Sequence, residues 1–379
     1  MTPSLIAAHS PEPGAVPPLD TMVVPAAPWS SIAPIWTELA ETSQSSIFMS
    51  PLWVETWLET FGDLVKASLV TFQNDRSSVG TCLIVEPRRS WKRPLRRITI
   101  NASGEPDEDT LYIEFNSLLC REEWIDSAVS ALAACVRGRS WDEFELNGFC
   151  PGPAYDLLKR ELSDLGVEES WQPCYYVDLA GLRNSGLSYI QALGAGHRQY
   201  LRRKMRYYSP AGELRLELAS NTSQALAMLG ELAWLNTRRF KGLGRRGLWQ
   251  SARFGAFHSR FVEKGFPLGK VQLLRVTAGQ ELVGIVYNLV HANKVYFYQC
   301  GYNYTSDKRL SPGVVTLALA IEHALMLGFD EFDFLAGDAS YKEWMSTGSR
   351  RLVWATFRRP SPRVWAHSRL RALKNRIVR

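Results

Sequence analysis

The pattern of apolar and polar positions is clearest in residues 294–344. Residues 295–300 are β-branched and aromatic, which predicts a buried strand. A polar loop follows. The long apolar segment from Ser311 to Gly328 predicts a helix, because Ser followed by Pro favours a helix start and Gly favours a helix end. Residues 331–335 alternate between polar and apolar and predict the next strand. The stretch therefore predicts a strand–helix–strand unit.

The rest of the chain shows a recurring order of strands and helices. The pattern of the first half predicts helices at 31–39, 51–61, 122–136 and 155–165 and strands at 67–72, 80–85, 98–100, 112–118 and 141–146. The pattern beyond residue 180 predicts helices at 188–208, 225–239 and 254–263 and strands at 270–277, 282–291 and 352–358. We therefore predict an α/β (α+β) fold of two similar domains with mixed central sheets flanked by helices.

Composition divides the chain into four regions. Residues 1–29 are rich in Pro and Ala and predict a disordered arm, because such a segment buries too little apolar surface to become ordered. Residues 30–180 and 181–360 are predicted to form the two domains. Residues 361–379 alternate basic and apolar side chains and predict a basic amphipathic tail.

The formal net charge of +6 is concentrated in this tail. Residues 361–379 carry six Arg and Lys side chains and no acid, so the chain up to residue 360 is formally neutral. A neutral body without a recognition motif disfavours nucleic-acid binding as the main role. Basic amphipathic helices are typical of segments on anionic membrane surfaces, so peripheral contact with the inner membrane is one expectation. An inert tail is the other.

Cysteine spacing and the sequence of the N-terminus bear on where in the cell the protein is expected. The six cysteines are far apart without a C-x-x-C pair, which predicts reduced core thiols and no metal site. The N-terminus lacks the pattern of a secretory signal, and no run of about 18 uncharged apolar residues occurs. We therefore expect a soluble, cytoplasmic protein.

Four segments together resemble a known family. They are FMSPLWVETWLETFGD from residue 48, HRQYLRRKMR from residue 197, GYNYTSDKRLSPGVV from residue 301 and GFDEFDFLAGDASYKEW from residue 328. They resemble the CelD/BcsL-type acyltransferases of the GCN5-related N-acetyltransferase (GNAT) superfamily, which are distantly similar to the Fem aminoacyltransferases. The likeness extends from about residue 48 to residue 357 and implies tandem GNAT-like domains.

The resemblance implies transfer of an acyl group from acyl-CoA or an acyl-carrier protein. The acceptor would be an amine or hydroxyl of an envelope-related molecule, such as a polysaccharide precursor or a lipid amine like a sphingoid base. The helix start offers free N–H groups and a positive dipole end, so Arg309, Ser311 and Gly313 are predicted to bind the carrier's phosphates. Of the usual Gly-rich pyrophosphate loop, this sequence retains only Arg309 and Gly313. The strand that includes Tyr298 is expected to run beside the pantetheine arm.

Acyl transfer also requires a base and a proton donor. We predict Asp333 as the general base, Tyr341 as the acid that protonates the departing thiolate, and Lys342 as a group that stabilises charge or binds the acceptor. His197 is a further candidate because imidazole suits proton transfer near neutral pH. Each of these residues also has a structural alternative. Asp333 could be a salt-bridge partner, the helix that starts at Ser311 could be an ordinary capped helix without a ligand, and His197 could be a surface residue.

Aromatic and basic residues elsewhere are candidates for substrate binding. Trp53 lies on a helix that the family likeness puts near the acceptor cleft, although such a Trp is also typical of a core. Arg198 and Arg202 lie in a basic helix that either lines a groove or is a solvated face. Lys241 belongs to a Gly-rich basic loop that is predicted to act as a lid.

Two rival functions remain open from the sequence. A Fem-like, aminoacyl-tRNA-dependent transferase predicts tRNA binding through the basic segments near Arg202 and Arg245, and that binding would weaken steeply with salt. A catalytically inactive GNAT scaffold predicts that substitution of Asp333 or Tyr341 affects nothing beyond folding.

Overall fold

The computed structural model describes residues 18–89 and 94–366. Its strands are β1 Asp20–Pro25, β2 Val65–Asn74, β3 Ser77–Pro87, β4 Arg97–Ile100, β5 Leu119–Cys120, β6 Glu143–Phe149, β7 Gly166–Asp178, β8 Leu214–Leu218, β9 Val271–Ala278, β10 Glu281–His291, β11 Lys294–Tyr302, β12 Glu331–Ala336 and β13 Gly348–Arg358. Its helices are α1 Ala33–Thr42, α2 Pro51–Phe61, α3 Ile125–Arg137, α4 Pro153–Glu161, α5 Leu179–Asn184, α6 Tyr189–Ala192, α7 Ala195–Arg206, α8 Thr222–Gly242, α9 Ala252–Gly265, α10 Pro312–Met326 and α11 Ser340–Met345.

One mixed sheet runs through both halves of the chain, in the order β1-β2-β3-β4-β6-β13-β7-β12-β11-β10-β9-β8, with β5 paired to β3. In the first half, β1 to β4 are antiparallel neighbours and β6 pairs parallel to β4. In the second half, β8 to β11 are antiparallel neighbours and β12 pairs parallel to β11. Each half thus repeats an antiparallel run that ends in one parallel pair. The predicted α/β (α+β) tandem fold is confirmed.

Two long strands join the halves in the middle of the sheet. Strands β7 and β13 pair antiparallel from Gly166↔Arg358 to Tyr176↔Gly348. Strand β13 also pairs with β6, and β7 also pairs with β12. Strand β13, the last strand among the described residues, therefore lies against the first half, and the two halves share a continuous hydrogen-bonded sheet.

An aromatic core also connects the halves on one face of the sheet. Helix α2 presents Trp53 and Trp57, which are fully buried, because apolar side chains at i and i+4 share one face of a helix. The Trp53 ring lies 4.8 Å from Phe257 and 5.3 Å from Phe261, both on α9. Burial of each large side chain contributes about 1.5–3 kcal/mol, so this contact fixes α2 against the second half.

Several predicted elements differ from the structure. The predicted arm includes β1, which pairs with β2 at the edge of the sheet, and residues 1–17 lie outside the described residues. Residues 112–118 were predicted as a strand but form a segment without regular secondary structure. The helix predicted at 188–208 divides into α6 and α7. Most of the predicted tail lies outside the described residues, which end at 366.

Candidate active site

Strands β11 and β12 separate after a short parallel pairing. They pair at Lys294↔Glu331, Val295↔Phe332 and Tyr296↔Asp333 and nowhere beyond. The register of β12 on β7 shifts after Asp333, and Leu335 has a φ of +59°, which is uncommon for a branched side chain. The bulge turns β12 away from β11 and opens a gap between them.

A cavity of about 280 Å³ fills this gap. Its lining comes from β11, from β12 and α11, and from the irregular segment of the first half that follows residue 110. The lining residues are Tyr112, Glu114, Phe297, Tyr298, Gln299, Phe334, Leu335, Ala336, Tyr341 and Lys342. The cavity therefore combines apolar walls with one carboxyl, one amine and three phenols, as small-molecule sites commonly do.

Glu114 and Lys342 are the ionisable pair of this cavity. Glu114 is 6% exposed and its Oε2 accepts a 2.7 Å hydrogen bond from the Ala336 N–H. Lys342 is 9% exposed and its Nζ donates to the carbonyls of Leu335 at 3.1 Å and Ala336 at 2.7 Å. Burial raises the pKa of Glu114, and burial lowers the pKa of Lys342. The raised pKa brings the Glu114 carboxyl toward the range in which it exchanges a proton at neutral pH, whereas the charge of Glu114 opposes the effect of burial on Lys342.

Asp333, the predicted general base, is fully buried and does not line this cavity. Its carboxylate is paired with Arg350 on β13, its Oδ1 accepts from the Leu335 N–H at 2.6 Å, and the Cys174 thiol donates to the same oxygen at 3.3 Å. Burial raises the pKa of Asp333, although Arg350 opposes the shift. These contacts hold β12, β13 and the bulge together, which is a structural task.

Three other predicted residues meet at the cavity. Tyr298, Tyr341 and Lys342 all line it. The Tyr298 hydroxyl donates to the Leu111 carbonyl, so this phenol ties β11 to the irregular segment. Burial raises the pKa of Tyr341, so its phenol stays protonated at neutral pH and can donate a proton.

The start of α10 carries the residues predicted to bind phosphates. Ser311 occupies the predicted N-cap position, but its side chain makes no capping hydrogen bond, and the first turn contains no acid. A Cβ at Gly313 would lie 3.0 Å from the Tyr302 ring, so glycine lets this ring approach the helix. Arg309 is exposed and its Nη2 lies 2.7 Å from Asp307 Oδ2. The helix start is thus compatible with an anion.

A smaller basic cavity of about 210 Å³ adjoins the same Tyr302 ring. Its lining includes Arg238 and Arg239 at the end of α8, together with Tyr302 and Tyr304. The Arg239 guanidinium lies 4.1 Å from the centre of the Tyr304 ring, and Arg238 Nη2 donates to Asn303 Oδ1 at 2.8 Å. These arginines hold the loop between β11 and α10. The sequence places them in the basic segment predicted to act as a lid, but in the structure they belong to helix α8.

The remaining predicted residues do not line the cavity between β11 and β12. His197 stacks on Trp344, with ring centres 4.8 Å apart. Trp53 is fully buried in the aromatic core. Arg198 and Arg202 line a separate cavity of about 490 Å³ on α7. Lys241 is exposed near the end of α8.

Glu114 is the site residue that the sequence analysis missed. It lies at the start of the strand that is predicted at 112–118, between apolar and aromatic neighbours. Its hydrogen bond to Ala336 joins residues 222 positions apart. A signal was present in the sequence, since an acid inside an apolar stretch is costly to bury without a partner. The sequence gives no indication of which partner that is.

Comparison with known proteins gives the class of the fold. Residues 195–343 match the acetyltransferase (GNAT) domain family. FemX is similar over 89% of this chain and 96% of its own, with 9% identity and a TM-score of 0.54. The C-terminal domain of a putative lysylphosphatidylglycerol synthetase from Agrobacterium fabrum covers 89% of this chain and 95% of its own, with 10% identity and a TM-score of 0.54. L-PGS from Bacillus licheniformis covers 90% and 95%, with 11% identity and a TM-score of 0.52.

The chain therefore has the GNAT-type acyltransferase fold, and its second half carries the part that matches the GNAT family by sequence. No curated protein matches the chain. Within residues 18–89 and 94–366, no helix is long and apolar enough to cross a membrane. The same residues contain no group of three or more His, Cys, Asp and Glu side chains that would hold a metal ion.

Proposed function

We propose that this protein is an acyltransferase of the CelD/BcsL type that works in the cavity between β11 and β12. It moves an acyl group from acyl-CoA, or from an acyl-carrier protein, to an amine or hydroxyl of an envelope-related acceptor. The observation that carries the proposal is the buried pair Glu114 and Lys342 in a cavity where two parallel strands separate. The GNAT match of residues 195–343 supports the reaction class.

The proposed donor site extends from the start of α10 into the cavity. Ser311 and Gly313 offer N–H groups of the first turn to the carrier's phosphates, and Arg309 adds positive charge beside them. Arg238 and Arg239 supply two further cations near Tyr302. The thioester arm then lies along β11 past Tyr298, where the separation from β12 leaves room for it.

We assign the general base to Glu114 instead of Asp333. Burial raises the pKa of Glu114, which brings a carboxyl group into the range where it accepts a proton from an attacking amine or hydroxyl. Asp333 is bound to Arg350 and the Leu335 N–H, so its oxygens are occupied. In this proposal Asp333 positions β12, and its part in catalysis is indirect.

Lys342 and Tyr341 complete the proposed mechanism. The acceptor attacks the thioester carbonyl while Glu114 takes its proton, and the carbonyl oxygen gains negative charge. Lys342 stabilises that charge, since it is anchored by two backbone carbonyls beside the cavity. When the carbon–sulfur bond breaks, the Tyr341 hydroxyl protonates the leaving thiolate and regains a proton from Glu114 through the acceptor site.

The direct test is thiol release by the purified protein. Acyl-CoAs of several chain lengths are incubated with candidate amines, including a sphingoid base, and free thiol is followed over time. We expect acceptor-dependent release that Glu114→Gln abolishes. Saturable stabilisation by coenzyme A in a thermal-shift assay is expected as well. Acceptor-dependent release that is unaffected in Glu114→Gln would remove the proposed base, and no release with any donor would favour the inactive scaffold.

A Fem-like transferase that uses aminoacyl-tRNA is the second candidate. The cavity on α7 lined by Arg198 and Arg202 favours it, because a basic groove suits the phosphates of a nucleic acid. The similarity to FemX also supports it. It predicts tRNA binding that weakens steeply between low and moderate salt and that Arg202→Gln reduces. Coenzyme A would then fail to stabilise the protein.

A further inference from the structure

A larger cavity of about 700 Å³ lies elsewhere, between the two halves of the chain. One wall is the polar loop between α1 and α2 with the start of α2, and the other is the end of the β9, β10 and β11 ladder. The lining residues are Ala40, Glu41, Ser43, Gln44, Ser45, Ser50, Pro51, Leu52, Leu268, Lys270, His291, Ala292, Lys294 and Tyr296. Tyr296 packs against Phe115 at 5.8 Å between ring centres, beside the proposed active site.

Strand register gathers three basic side chains at one end of this cavity. His291 and Lys294 face each other as the last pair of the β10–β11 hairpin. Lys270 precedes β9, and its carbonyl accepts from the Val290 N–H at 2.9 Å. Burial lowers the pKa of His291, and Lys270 lowers it further, while a backbone hydrogen bond with Ser45 opposes the shift.

The acids near this end only partly offset its charge. Glu41 is the one acidic residue in the lining, and it is exposed. Lys294 also lies 3.5 Å from Glu331, which is itself bound by Arg350. Lys270 appears in no ion pair among the described residues. The start of α2 adds a positive dipole end, and its first turn contains no acid.

Two polar atoms of the lining are buried without a hydrogen-bond partner among the described residues: Oγ of Ser43 and Nδ1 of His291. A buried polar group without a partner costs about 1–3 kcal/mol, so such atoms commonly mark a missing ligand or water. They belong to residues on opposite walls of the cavity.

The remaining lining is largely apolar. Leu52 at the start of α2 lies opposite the turn at Leu268, whose side chain is 64% exposed. Together with Ala40, Pro51 and Ala292, these side chains give the cavity an apolar wall. A cavity of this size is also in the usual range for small-molecule sites, about 300–1,000 Å³.

We propose that this cavity binds a single-chain anionic lipid. Its phosphate head would lie between Lys270, His291 and Lys294, where it would also meet Ser43 Oγ, and its acyl chain would follow Leu52 and Leu268. The inference does not depend on the acyltransferase proposal, because it rests on a different set of residues. A phosphate head is favoured over a carboxylate because it offers more oxygens to the two lysines and to the neutral imidazole of His291.

The test is calorimetric titration of the full chain with a lysophosphatidic acid below its micelle concentration. A monoacylglycerol of the same chain length, the corresponding fatty acid and inorganic phosphate are titrated separately. We expect micromolar binding of the phosphate lipid, and at least tenfold weaker binding of the neutral lipid and of phosphate alone. The fatty acid should bind between the two lipids. Equal affinity for the neutral and the phosphate lipid would overturn the proposal.

Variants distinguish the contacts of the lipid's phosphate head from those of its acyl chain. The double variant Lys270→Gln, His291→Gln should weaken the phosphate lipid at least tenfold and leave the monoacylglycerol unchanged, whereas Leu268→Glu should weaken both. Lys66→Gln is the matched control, since Lys66 is 77% exposed on β2 and pairs only loosely with Glu86 at 3.9 Å. An equal loss in Lys66→Gln would contradict a defined head site.

Competition separates this site from the proposed donor site. Glu114→Gln should bind the lipid like the natural protein, and coenzyme A should not displace it. Displacement by coenzyme A would overturn the proposal of a separate site. Failure of lipid binding would leave the thiol-release result untouched, so the two proposals can fail independently.

Discussion

The two parallel strand pairs of this molecule, β4–β6 and β11–β12, begin alike and end differently. Each pairs over three residues, and each second strand ends its pairing at an acid, Glu145 in the first half and Asp333 in the second. Each acid is bound by an arginine, Arg97 and Arg350 respectively. Beyond that point the two gaps have different contents.

The gap in the first half is filled by two asparagines. Asn116 is fully buried, and its side chain accepts from Asn101 Nδ2 at 2.5 Å and donates to the Asn147 carbonyl at 3.1 Å. Its backbone adds hydrogen bonds to Gly148 and Cys150. The same segment sends Glu114, two residues earlier, into the gap of the second half. The segment that follows residue 110 therefore fills the gap of the first half with Asn116 and supplies Glu114 to the cavity of the second half.

The comparison shows how a repeated fold acquires a single site. The separation of two parallel strands opens a gap in each half. The side chains that enter the gap determine whether it is packed or holds reactive groups. The first half retains a cavity of about 310 Å³ whose lining includes Arg97 and Glu145, which neutralise each other. The second half holds a carboxyl and an amine whose pKa values both move toward neutrality because of burial. Matched substitutions in the two halves test this difference.

The largest expected effect is on catalysis. Glu114→Gln and Lys342→Met should each lower kcat by about 10²–10⁴-fold, because a positioned proton acceptor and a fixed positive charge act on the transition state. Thiol release is the measurement, with folding checked by circular dichroism. Glu145→Gln is the matched control in the first-half cavity, and it should change kcat less than twofold. A similar loss in Glu145→Gln would mean that the site is not confined to the second half.

The sequence was sufficient to predict the site residues that are close together in the chain, but it did not predict the contacts between distant segments. Tyr298, Tyr341 and Lys342 lie within about 45 residues of each other, and strand–helix–strand periodicity was enough to bring them to one strand end. Asp333 was correctly assigned to β12, but its side chain is bound to Arg350 across the sheet, a pairing that depends on β13 lying beside β7. Glu114 depends on a contact between the halves, which no local pattern encodes.

The two arginine–carboxylate pairs should differ in stability. Arg350→Met leaves Asp333 buried at 0% side-chain exposure without its counter-ion, which should lower the free energy of unfolding by roughly 3–5 kcal/mol. Arg97→Met leaves Glu145 with 20% side-chain exposure, so water can solvate the carboxylate and the expected loss is about 1–2 kcal/mol. Urea unfolding measures both. Equal losses would show that the two pairs are equivalent and that Asp333 has no special structural role.

Replacing a polar side chain by an apolar one should lower the free energy of unfolding more in the first gap than in the second. Asn116→Leu removes the hydrogen bonds of a buried amide and leaves the Asn101 side chain without one partner, so we expect a loss of about 2–3 kcal/mol. Gln299→Leu changes a half-buried residue of the second-half cavity and should cost less than about 1 kcal/mol. Urea unfolding compares them directly. A larger loss in Gln299→Leu would mean that the second gap is also held by packing.

The pH dependence of stability that Glu114 contributes is spread over several pH units, so its effect within any one pH unit is small. Because burial raises its folded-state pKa above the unfolded value of about 4.3, folding favours the protonated carboxyl. Its contribution is fully present below the unfolded pKa and is lost as pH rises through the folded pKa, with a slope of at most about 1.4 kcal/mol per pH unit. Glu114→Gln stays neutral, so the free energy of unfolding of the variant relative to the natural protein should increase across this window. Urea unfolding at several pH values gives the difference. Parallel curves would mean that Glu114 titrates alike in both states, and the basis for its selection as the base would be lost.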